Sequence, residues 1–356
     1  MATKQDIEYL LEGYRQAELT IIELLKEISI EAVGTRDWYQ QQATALRQLM
    51  EKARAVLAAA EPSQEDLERV LANGWVDGVA ETAAGQFVPA PAMTAVAVEQ
   101  GAAFTSAGLN VLRATEDAFR DIARVAVGGM VASGADRNRA LQNILNDFAA
   151  NGITAYRDTA GRRWGLDTYG EMVLRTGVNR AQNAGRISGY RTAGVTLLLV
   201  SQHKGADAHC LPFQNKILST DGMAGDRTVT DRATGEPTTV YVTATFEDAV
   251  AQGLLHVNCR HTLTAYTPGV ELPDDVDATE EDFFTEQQQR HNERMIRQWK
   301  RREAAAMDDR AREDAKKRVR FWQARQRQHL KNNPWLVRRY DREKVWAAQA
   351  GRGRRI

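Results

Sequence analysis

The segment LLHVNCRH, residues 254–261, contains two histidines, an asparagine, a cysteine and an arginine within its last six positions. The whole chain of 356 residues has two cysteines and six histidines. Both cysteines and four of the histidines lie between His203 and His261. Thiols and imidazoles bind zinc and act as nucleophile and base, so we expect this part of the chain to decide the local fold or to form a site.

One interpretation of this part of the chain is a zinc site. Zinc binds two cysteines and two histidines in tetrahedral geometry. The chain offers such a set in Cys210, His256, Cys259 and His261. The spacing differs from that of a standard zinc finger, because the first pair would have to be the adjacent His209 and Cys210, whose side chains diverge. Zinc is the one cofactor that the sequence suggests, and it is a hypothesis.

A second interpretation is nucleophilic catalysis by Cys210. A histidine beside a cysteine activates the thiol, and His256 or His261 would supply that histidine. Asp207 would then orient the imidazole. No local signature of a known cysteine-enzyme family surrounds Cys210, so the spatial proximity of these groups would have to carry this interpretation.

A third interpretation is a tight polar core without chemistry. Asn258 and Arg260 would hydrogen-bond the backbone of the loop, and Cys259 would fill space as a small buried hydrophobe. The loop would then hold the strand after a hairpin against the turn formed by residues 201–216. The residues by themselves leave the three interpretations open.

The segment lies in a region, residues 160–270, whose pattern mixes helix and strand. A helix is expected from about 167 to 190, and Gly194 ends it. The apolar run Val195–Val200 that follows is typical of a buried strand. Alternating residues on both sides of Ala233–Glu236 indicate a β-hairpin.

The preceding half of the chain is predicted to be helical. Apolar residues recur at threes and fours in residues 4–60, with a break at 34–37, which indicates two helices. Ser63 is expected to cap the next helix, because acidic residues follow in its first turn. Alanine, glycine and proline dominate residues 79–108 with weak periodicity, which predicts a loop-broken stretch before helix returns at 108–150.

The end of the chain is charged and helical in pattern. Residues 279–332 carry a thin apolar stripe, which predicts an extended basic C-terminal helix that must lie against another surface. The predicted fold class is therefore α+β and predominantly α-helical. Its expected organisation is a helical N-terminal region (1–155), a small α+β module with a β-hairpin (156–275) and a charged helical C-terminal arm (276–356).

The net charge of zero conceals an asymmetry. Residues 290–356 carry 22 Lys+Arg against 8 Asp+Glu, whereas residues 1–289 carry 25 against 39. A basic end on an acidic body predicts contact with an anionic partner, unless the two parts neutralise each other within an assembly. Four tryptophans would either stack on bases or anchor the helix by packing, namely Trp299, Trp322, Trp335 and Trp346. The residues expected to contact the partner are Arg294, Arg297, Lys300, Arg301, Arg318, Arg320, Arg325 and Arg327.

Composition also excludes several classes of protein. No apolar run approaches the roughly 18 residues that a bilayer span needs, so no membrane contact is expected. The N-terminus lacks the parts of a signal peptide, and two cysteines do not make a disulfide framework. We therefore expect a soluble protein made in a reducing compartment. Nucleotide-loop, paired-carboxylate and triad patterns are absent from the sequence, so no enzyme activity is expected.

Two segments carry a resemblance to a known family. SQHKGADAHCLPFQNKILS (201–219) and NCRHTLTAYTPGV (258–270) resemble the phage minor capsid protein family of double-stranded-DNA phages. The chain departs from the family at Asn215, where glycine is usual, and at Cys210, where histidine is more usual. The matching positions are Ser201, His203, Gly205, Ala206, Phe213, Gln214, Lys216, Asn258, Cys259, Arg260, His261, Tyr266, Pro268 and Gly269.

The resemblance implies a virion component rather than an enzyme. Members of the family are minor head proteins that associate with the portal during head assembly, and relatives are thought to touch packaged DNA. The implied partners are the portal protein, major capsid or scaffold proteins and packaged DNA, and the implied location is the capsid near the portal, after synthesis in the bacterial cytoplasm. The alternative is a DNA-binding or Cys/His-dependent enzymatic factor that is injected or used in assembly.

Overall fold

The computed structural model of the chain describes residues 2–34, 38–80, 82, 91–128, 134–152, 154–157 and 163–345. It is 67 % helical with small β-sheets, which confirms the predicted class, α+β and predominantly α-helical. None of the helices within these ranges is long and apolar enough to cross a membrane.

The bounds of the elements follow the chain order. The helices are α1 (Ala2–Gly34), α2 (Trp38–Ala60), α3 (Gln64–Ala80), α4 (Pro91–Gly128), α5 (Gly134–Asp147), α6 (Leu166–Thr192), α7 (Phe246–Ala251), α8 (Glu280–Ala304) and α9 (Asp309–Asn332). The strands are β1 (Thr154–Arg157), β2 (Arg163–Gly165), β3 (Leu197–Val200), β4 (Ile217–Ser219), β5 (Gly225–Thr230), β6 (Pro237–Val242), β7 (Ala244–Thr245) and β8 (Leu263–Ala265). A π-helical turn (Phe148–Gly152) follows α5, and 3-10 turns lie at Leu211–Phe213 and Tyr340–Glu343.

Backbone contacts group the chain into two compact units, and each is assembled from three segments. Unit 1 comprises residues 1–7, 63–101 and 172–287, and unit 2 comprises residues 8–62, 102–171 and 288–356. The division of the chain at residues 155 and 275, which rests on changes of sequence character, stays a prediction.

The four-stranded sheet of unit 1 has the order β7-β4-β3-β8. Strand β3 pairs antiparallel with β4 and with β8, and β4 pairs parallel with β7. Because side chains alternate along a strand, the two faces of β3 pack in two different hydrophobic clusters. Leu198 and Val200 pack in a cluster with α6 and the loop that carries Cys259, whereas Leu197 packs in a cluster with the hairpin strands. The predicted buried strand is therefore one of the two inner strands of the sheet.

The predicted hairpin is formed by β5 and β6. In the turn between the strands, the backbone N–H groups of Ala233 and Thr234 donate to Asp231 Oδ1, at 2.7 and 3.1 Å. These hydrogen bonds favour the carboxylate and lower the pKa of Asp231. Gly235 takes a positive φ of 76°, a conformation that glycine adopts without steric cost.

The N-terminal half confirms two expectations and corrects one. The helices α1 and α2 follow the predicted break, and Ser63 Oγ accepts a hydrogen bond from Asp66 N at 3.0 Å, as expected of an N-cap. The expectation of a loop-broken stretch over residues 79–108 is wrong for 91–108, because α4 begins at Pro91, and residues 81 and 83–90 lie outside the described residues. Ala97 and Ala107 are buried positions of that helix, and alanine gives little hydrophobic contrast in a sequence pattern.

The extended basic helix expected at the C-terminus is divided into α8 and α9. Asp308 caps α9, since its side chain accepts a hydrogen bond from Ala311 N at 2.7 Å. The two helices form an antiparallel pair, in which Asn292 Nδ2 donates to Gln326 Oε1 at 3.0 Å and both side chains are buried. The apolar stripe of residues 279–332 was expected to lie against another surface. The pairing of α8 with α9 supplies part of that surface.

Small residues let α3 and α6 approach closely in unit 1. A Cβ atom at Gly185 of α6 would collide with the backbone carbonyl of Trp75, and one at Gly78 of α3 would collide with the carbonyl of Gln182. These contacts are with backbone atoms, which cannot rotate away. The position of α6 against α3 therefore depends on glycine at both places.

Replacing Gly185 by alanine is expected to lower the free energy of unfolding by about 1–3 kcal/mol, because the added methyl group overpacks the contact with α3. The matched control is Gly108→Ala in α4, where nothing lies within 4 Å of the added Cβ. That change should raise stability by about 0.5–1 kcal/mol through helix propensity. Urea unfolding followed by circular dichroism measures both, and equal stability of the two variants would contradict the close approach.

Candidate functional site

The loop that carries the Cys/His segment is sharply bent. Leu255 and Asn258 adopt positive φ values of 58° and 65°, and Gly253 one of 110°. Asparagine tolerates this conformation better than most residues. The N–H of Cys259 donates to the carbonyl of His256 at 3.0 Å, which closes the turn. The bend directs the buried side chains of Cys259 and His261 into the core of unit 1.

Polar side chains on one face of α6 hold this loop. Thr176 Oγ1 accepts a hydrogen bond from the N–H of Asn258 at 3.1 Å. Asn179 and Asn183 donate to the carbonyl of His261 at 3.3 and 3.1 Å. Asn183 Oδ1 also accepts from Leu263 N at 3.1 Å. Sequence reasoning missed these three residues of α6, although their helical spacing (176, 179, 183) was a signal that they share a face.

Three of the four residues predicted as zinc ligands are brought together. Cys210 Sγ lies 3.6 Å from Cys259 Sγ, and Cys259 Sγ lies 3.4 Å from His261 Nδ1. Their ligand atoms all lie within 4.8 Å of one another. The exposed fractions are 1 % for Cys210, 7 % for Cys259 and 1 % for His261, and both thiols are free. We call these three residues the buried trio.

The fourth predicted ligand, His256, lies in a different arrangement. Its Nε2 is 2.9 Å from Asp207 Oδ2, and its Nδ1 is 2.7 Å from the carbonyl of Val257. Both ring nitrogens therefore face oxygen acceptors. Asp207 and His256 come within 4.8 Å of Cys210 but form a separate, partly exposed group with it.

Hydrogen bonds polarise the two thiols in opposite directions. The pKa of Cys259 is lowered, first by the hydrogen bond from the Cys210 thiol and also by the hydrogen bond from the backbone N–H of His261, both of which favour the Cys259 thiolate. The pKa of Cys210 is raised by that same hydrogen bond and by burial. His203 stacks on His261 with ring centroids 4.4 Å apart, and burial lowers the pKa of His203 to about 4, so this imidazole is neutral at pH 7.

The residues that carry the family resemblance join the turn at 201–216 to the loop at 254–261. Ser201 Oγ accepts a hydrogen bond from Thr262 N at 2.9 Å. Gln214 Oε1 lies 2.6 Å from the donating N–H of His203 and 3.1 Å from His261 Nε2. These contacts place two segments of the sequence, about fifty residues apart, in one hydrogen-bonded structure.

The other motif residues support the edges of this structure. Arg260 forms an ion pair with Glu286, which fills the space beside Gly205 that a Cβ would need. Phe213 packs in the core, and the backbone of Lys216 bonds to Phe213 and Val200 while its side chain is exposed.

Pro268 and Gly269 meet the hairpin turn. The Pro268 carbonyl accepts a hydrogen bond from Arg232 N at 3.2 Å, and Gly269, with φ of 91°, lies against the Asp231 carboxylate. A side chain at position 269 would clash with that carboxylate. The last part of the motif therefore positions the hairpin rather than the buried trio.

Part of the predicted basic contact set is used inside unit 2. Arg297 is buried and donates to the carbonyl of Arg342 and to Thr168 Oγ1. Lys300 Nζ donates to the carbonyl of Glu343 at 2.6 Å. Arg301 is buried and pairs with Glu18 at 3.4 Å, and Glu18 is only 1 % exposed. These three cations are inward-facing anchors of α8.

The remaining members of the set lie at the surface. Arg294, Arg318, Arg320, Arg325 and Arg327 are exposed. The guanidinium of Arg318 lies 5.8 Å from the centroid of a Trp299 ring, and that of Arg325 lies 5.4 Å from the centroid of a Trp322 ring. Both tryptophans are half-buried, so in this structure they pack as well as stack on arginine.

One face of α9 carries three exposed basic side chains. Arg320, Arg327 and Lys331 are exposed and recur at helical spacing, and we call them the basic stripe. Among the described residues, Arg320 and Arg327 take part in no ion pair within 4.0 Å. The segment 315–340 contains nine Lys+Arg and no Asp or Glu. The acidic residues of α9 lie N-terminal to this segment, where Glu313 interacts electrostatically with Arg320, so the positive potential is least neutralised around Arg327 and Lys331.

Comparisons with known proteins agree with the resemblance seen in the sequence. The family model described as "Phage minor capsid protein 2" matches residues 3–331. A structural protein of Lactococcus phage LL-H is 27 % identical over 267 residues, which are 71 % of this chain and 67 % of that protein. A structural protein of Lactococcus phage mv4 is 32 % identical over 100 residues, which are 26 % of this chain and 81 % of that protein. No solved structure gives a significant match.

Replacing Asn183 by alanine is expected to destabilise the protein by about 1–3 kcal/mol, because the buried carbonyl of His261 and the N–H of Leu263 are then without this partner. Asn179→Ala is the matched control on the same helix face, since Asn179 donates a single hydrogen bond to the same carbonyl. Its cost should be smaller. Urea unfolding curves measure the difference, and a smaller effect in Asn183→Ala than in the control would contradict this role.

Proposed function

The chain belongs to the phage minor capsid protein 2 family, and from this premise we propose that it is a minor head protein of a tailed double-stranded-DNA phage that associates with the portal and contacts packaged DNA. It is a phage structural protein and therefore a virion component. The position near the portal, the neighbouring major capsid or scaffold proteins and the DNA contact are parts of the proposal.

The observation that carries the proposal is the basic stripe on α9. Three exposed cations on one helix face, in a segment without carboxylates, attract an anionic surface such as DNA phosphates or an acidic patch on the portal. The basic stripe contains fewer residues than the contact set predicted from the charge of the sequence. Contacts inside unit 2 occupy three members of that set, Arg297, Lys300 and Arg301, which therefore do not belong to the proposed surface.

The inward cations of α8 also fix the helix pair that carries the basic stripe. The Arg301–Glu18 pair and the contacts of Arg297 fix α8 within unit 2, and α8 holds α9 through the buried Asn292–Gln326 hydrogen bond. A surface on a rigid helix loses less conformational entropy on binding than a mobile tail does. This arrangement favours a defined docking surface for the partner.

A thiol-based enzyme is the rival function, and the geometry disfavours it. A reactive cysteine needs access to substrate and a thiol pKa that is lowered by its surroundings. Cys210 is 1 % exposed, and its pKa is raised by the hydrogen bond to Cys259 and by burial. The Asp207–His256 pair beside it resembles a base and its orienting carboxylate, but the sulfur it would activate is buried.

Quantitative mass spectrometry of purified particles tests the location. With the portal protein of the same particles as internal standard, the chain is expected at a low and reproducible ratio to the portal. Its abundance in infected-cell lysate serves as the control for expression. A chain that is abundant in lysate and absent from particles would contradict the proposal and favour an assembly factor.

The double substitution Arg320→Glu/Arg327→Glu is expected to reduce incorporation into particles and to weaken retention of purified protein on duplex DNA. For each phosphate that the variant no longer neutralises, the slope of log K against log salt should become shallower by about 0.9. The matched control is Arg120→Glu/Arg124→Glu, which reverses two charges at exposed arginines of α4. If the stripe variant and the control behave alike in both assays, α9 is not the contact surface.

A further inference from the structure

We propose that the buried trio is a zinc site, with Cys210 Sγ, Cys259 Sγ and His261 Nδ1 as its three protein ligands. This assignment goes beyond the role in the phage head and does not depend on it. It also differs from the four-residue set that the sequence suggests, because His256 is left out. Three features of the trio support a metal: the distances between the ligand atoms, the tautomer of His261 and the burial of the three groups.

The distances within the trio fit a tetrahedral zinc ion. With Zn–S bonds of about 2.3 Å and Zn–N bonds of about 2.0–2.1 Å, two sulfur ligands lie about 3.8 Å apart, and a sulfur and a nitrogen about 3.6 Å apart. The observed separations are 3.6 Å for the two sulfurs and 3.4 Å for Cys259 Sγ and His261 Nδ1. The third separation, between Cys210 Sγ and His261 Nδ1, is within 4.8 Å, so a single ion can bind all three atoms once this pair closes to about 3.6 Å.

The hydrogen bonds around His261 select the tautomer that binds a metal. Gln214 Oε1 accepts the N–H of His203 at 2.6 Å, which fixes which end of the amide faces the trio. The same oxygen lies 3.1 Å from His261 Nε2, so this nitrogen carries the proton and donates. The lone pair of Nδ1 then points towards Cys259 Sγ. A histidine ligand whose other ring nitrogen donates to an oxygen is the usual arrangement in metal sites.

The chemistry of the trio favours zinc over harder cations. Two thiolates and a neutral imidazole form a soft ligand set, which calcium and magnesium do not prefer. The three groups are more than nine-tenths buried and converge on one point in the core of unit 1. The trio supplies three of the four ligands that a tetrahedral zinc ion takes.

His256 is excluded as a ligand because its ring nitrogens are already engaged. Nε2 faces Asp207 at 2.9 Å and Nδ1 faces the carbonyl of Val257 at 2.7 Å. To bind the ion through either nitrogen, the ring would have to give up the contact that this nitrogen makes. This makes His256→Ala the matched control, since it removes an imidazole next to Cys210 without touching the proposed ligands.

The first experiment measures metal content in the full chain, purified without chelator and dialysed against metal-free buffer. We expect about one zinc per chain in the wild type and in His256→Ala, and loss of zinc in Cys210→Ser, Cys259→Ser and His261→Ala. A wild-type protein that is folded, free of zinc and unable to take up added zinc or cobalt would overturn the proposal. So would zinc loss in His256→Ala as complete as that in Cys259→Ser.

A second measurement covers the case in which ligand variants do not fold. Cobalt added to the chelator-treated wild-type chain should give the absorption of tetrahedral thiolate-bound cobalt, and zinc should displace it and raise the unfolding midpoint. A thiol titration under denaturing conditions completes the test. Two free thiols per chain after zinc removal support the site, whereas a Cys210–Cys259 disulfide in freshly purified protein overturns it. Particle incorporation is scored separately, so failure of zinc binding leaves the proposed function standing.

Discussion

Within the part of the chain that the structure describes, no strand supplies hydrogen-bond partners for the Asn258 N–H and the His261 carbonyl of the loop at 254–261. The side chains of α6 supply them, and the rest of the site depends on this. A buried carbonyl or N–H without a partner costs about 1–3 kcal/mol, and Thr176, Asn179 and Asn183 satisfy the groups of Asn258, His261 and Leu263. In turn, α6 lies against α3 through glycine contacts. The position of the loop at 254–261 therefore depends on the packing of α6 against α3.

This dependence explains why the sequence motif is spread over two segments. The turn at 201–216 and the loop at 254–261 share Gln214, whose one oxygen serves both His203 and His261. Two distant segments that share an acceptor form a single unit of packing, so neither can change its geometry alone. Such coupling is a physical reason for a long sequence pattern without catalysis, which is the polar-core interpretation. The same geometry places two sulfurs and a nitrogen at metal-binding distances.

Much of the fold was predictable from periodicity, and the misses have physical causes. The strand β3, the hairpin and the first helices followed strong apolar patterns. The start of α4 was missed because alanine gives a helix little hydrophobic contrast, and the break before α9 depends on one capping residue, Asp308. At the site, the sequence showed which residue types are present but not which side chains they contact. Only the three-dimensional structure separates His256, held by Asp207, from the trio.

Charge counted along a sequence does not distinguish between cations that bind a partner and cations that stabilise the fold. In α8, three basic residues (Arg297, Lys300 and Arg301) point inward, and Arg301 meets a carboxylate that is 1 % exposed. Removing either member of such a pair would leave a buried charge uncompensated, at a cost of about 3–5 kcal/mol. In α9 the basic stripe faces solvent, so its charges can be reversed at little cost to stability. Under the proposed function, the two helices divide one basic segment, with the inward cations of α8 stabilising the fold and the basic stripe of α9 available to a partner.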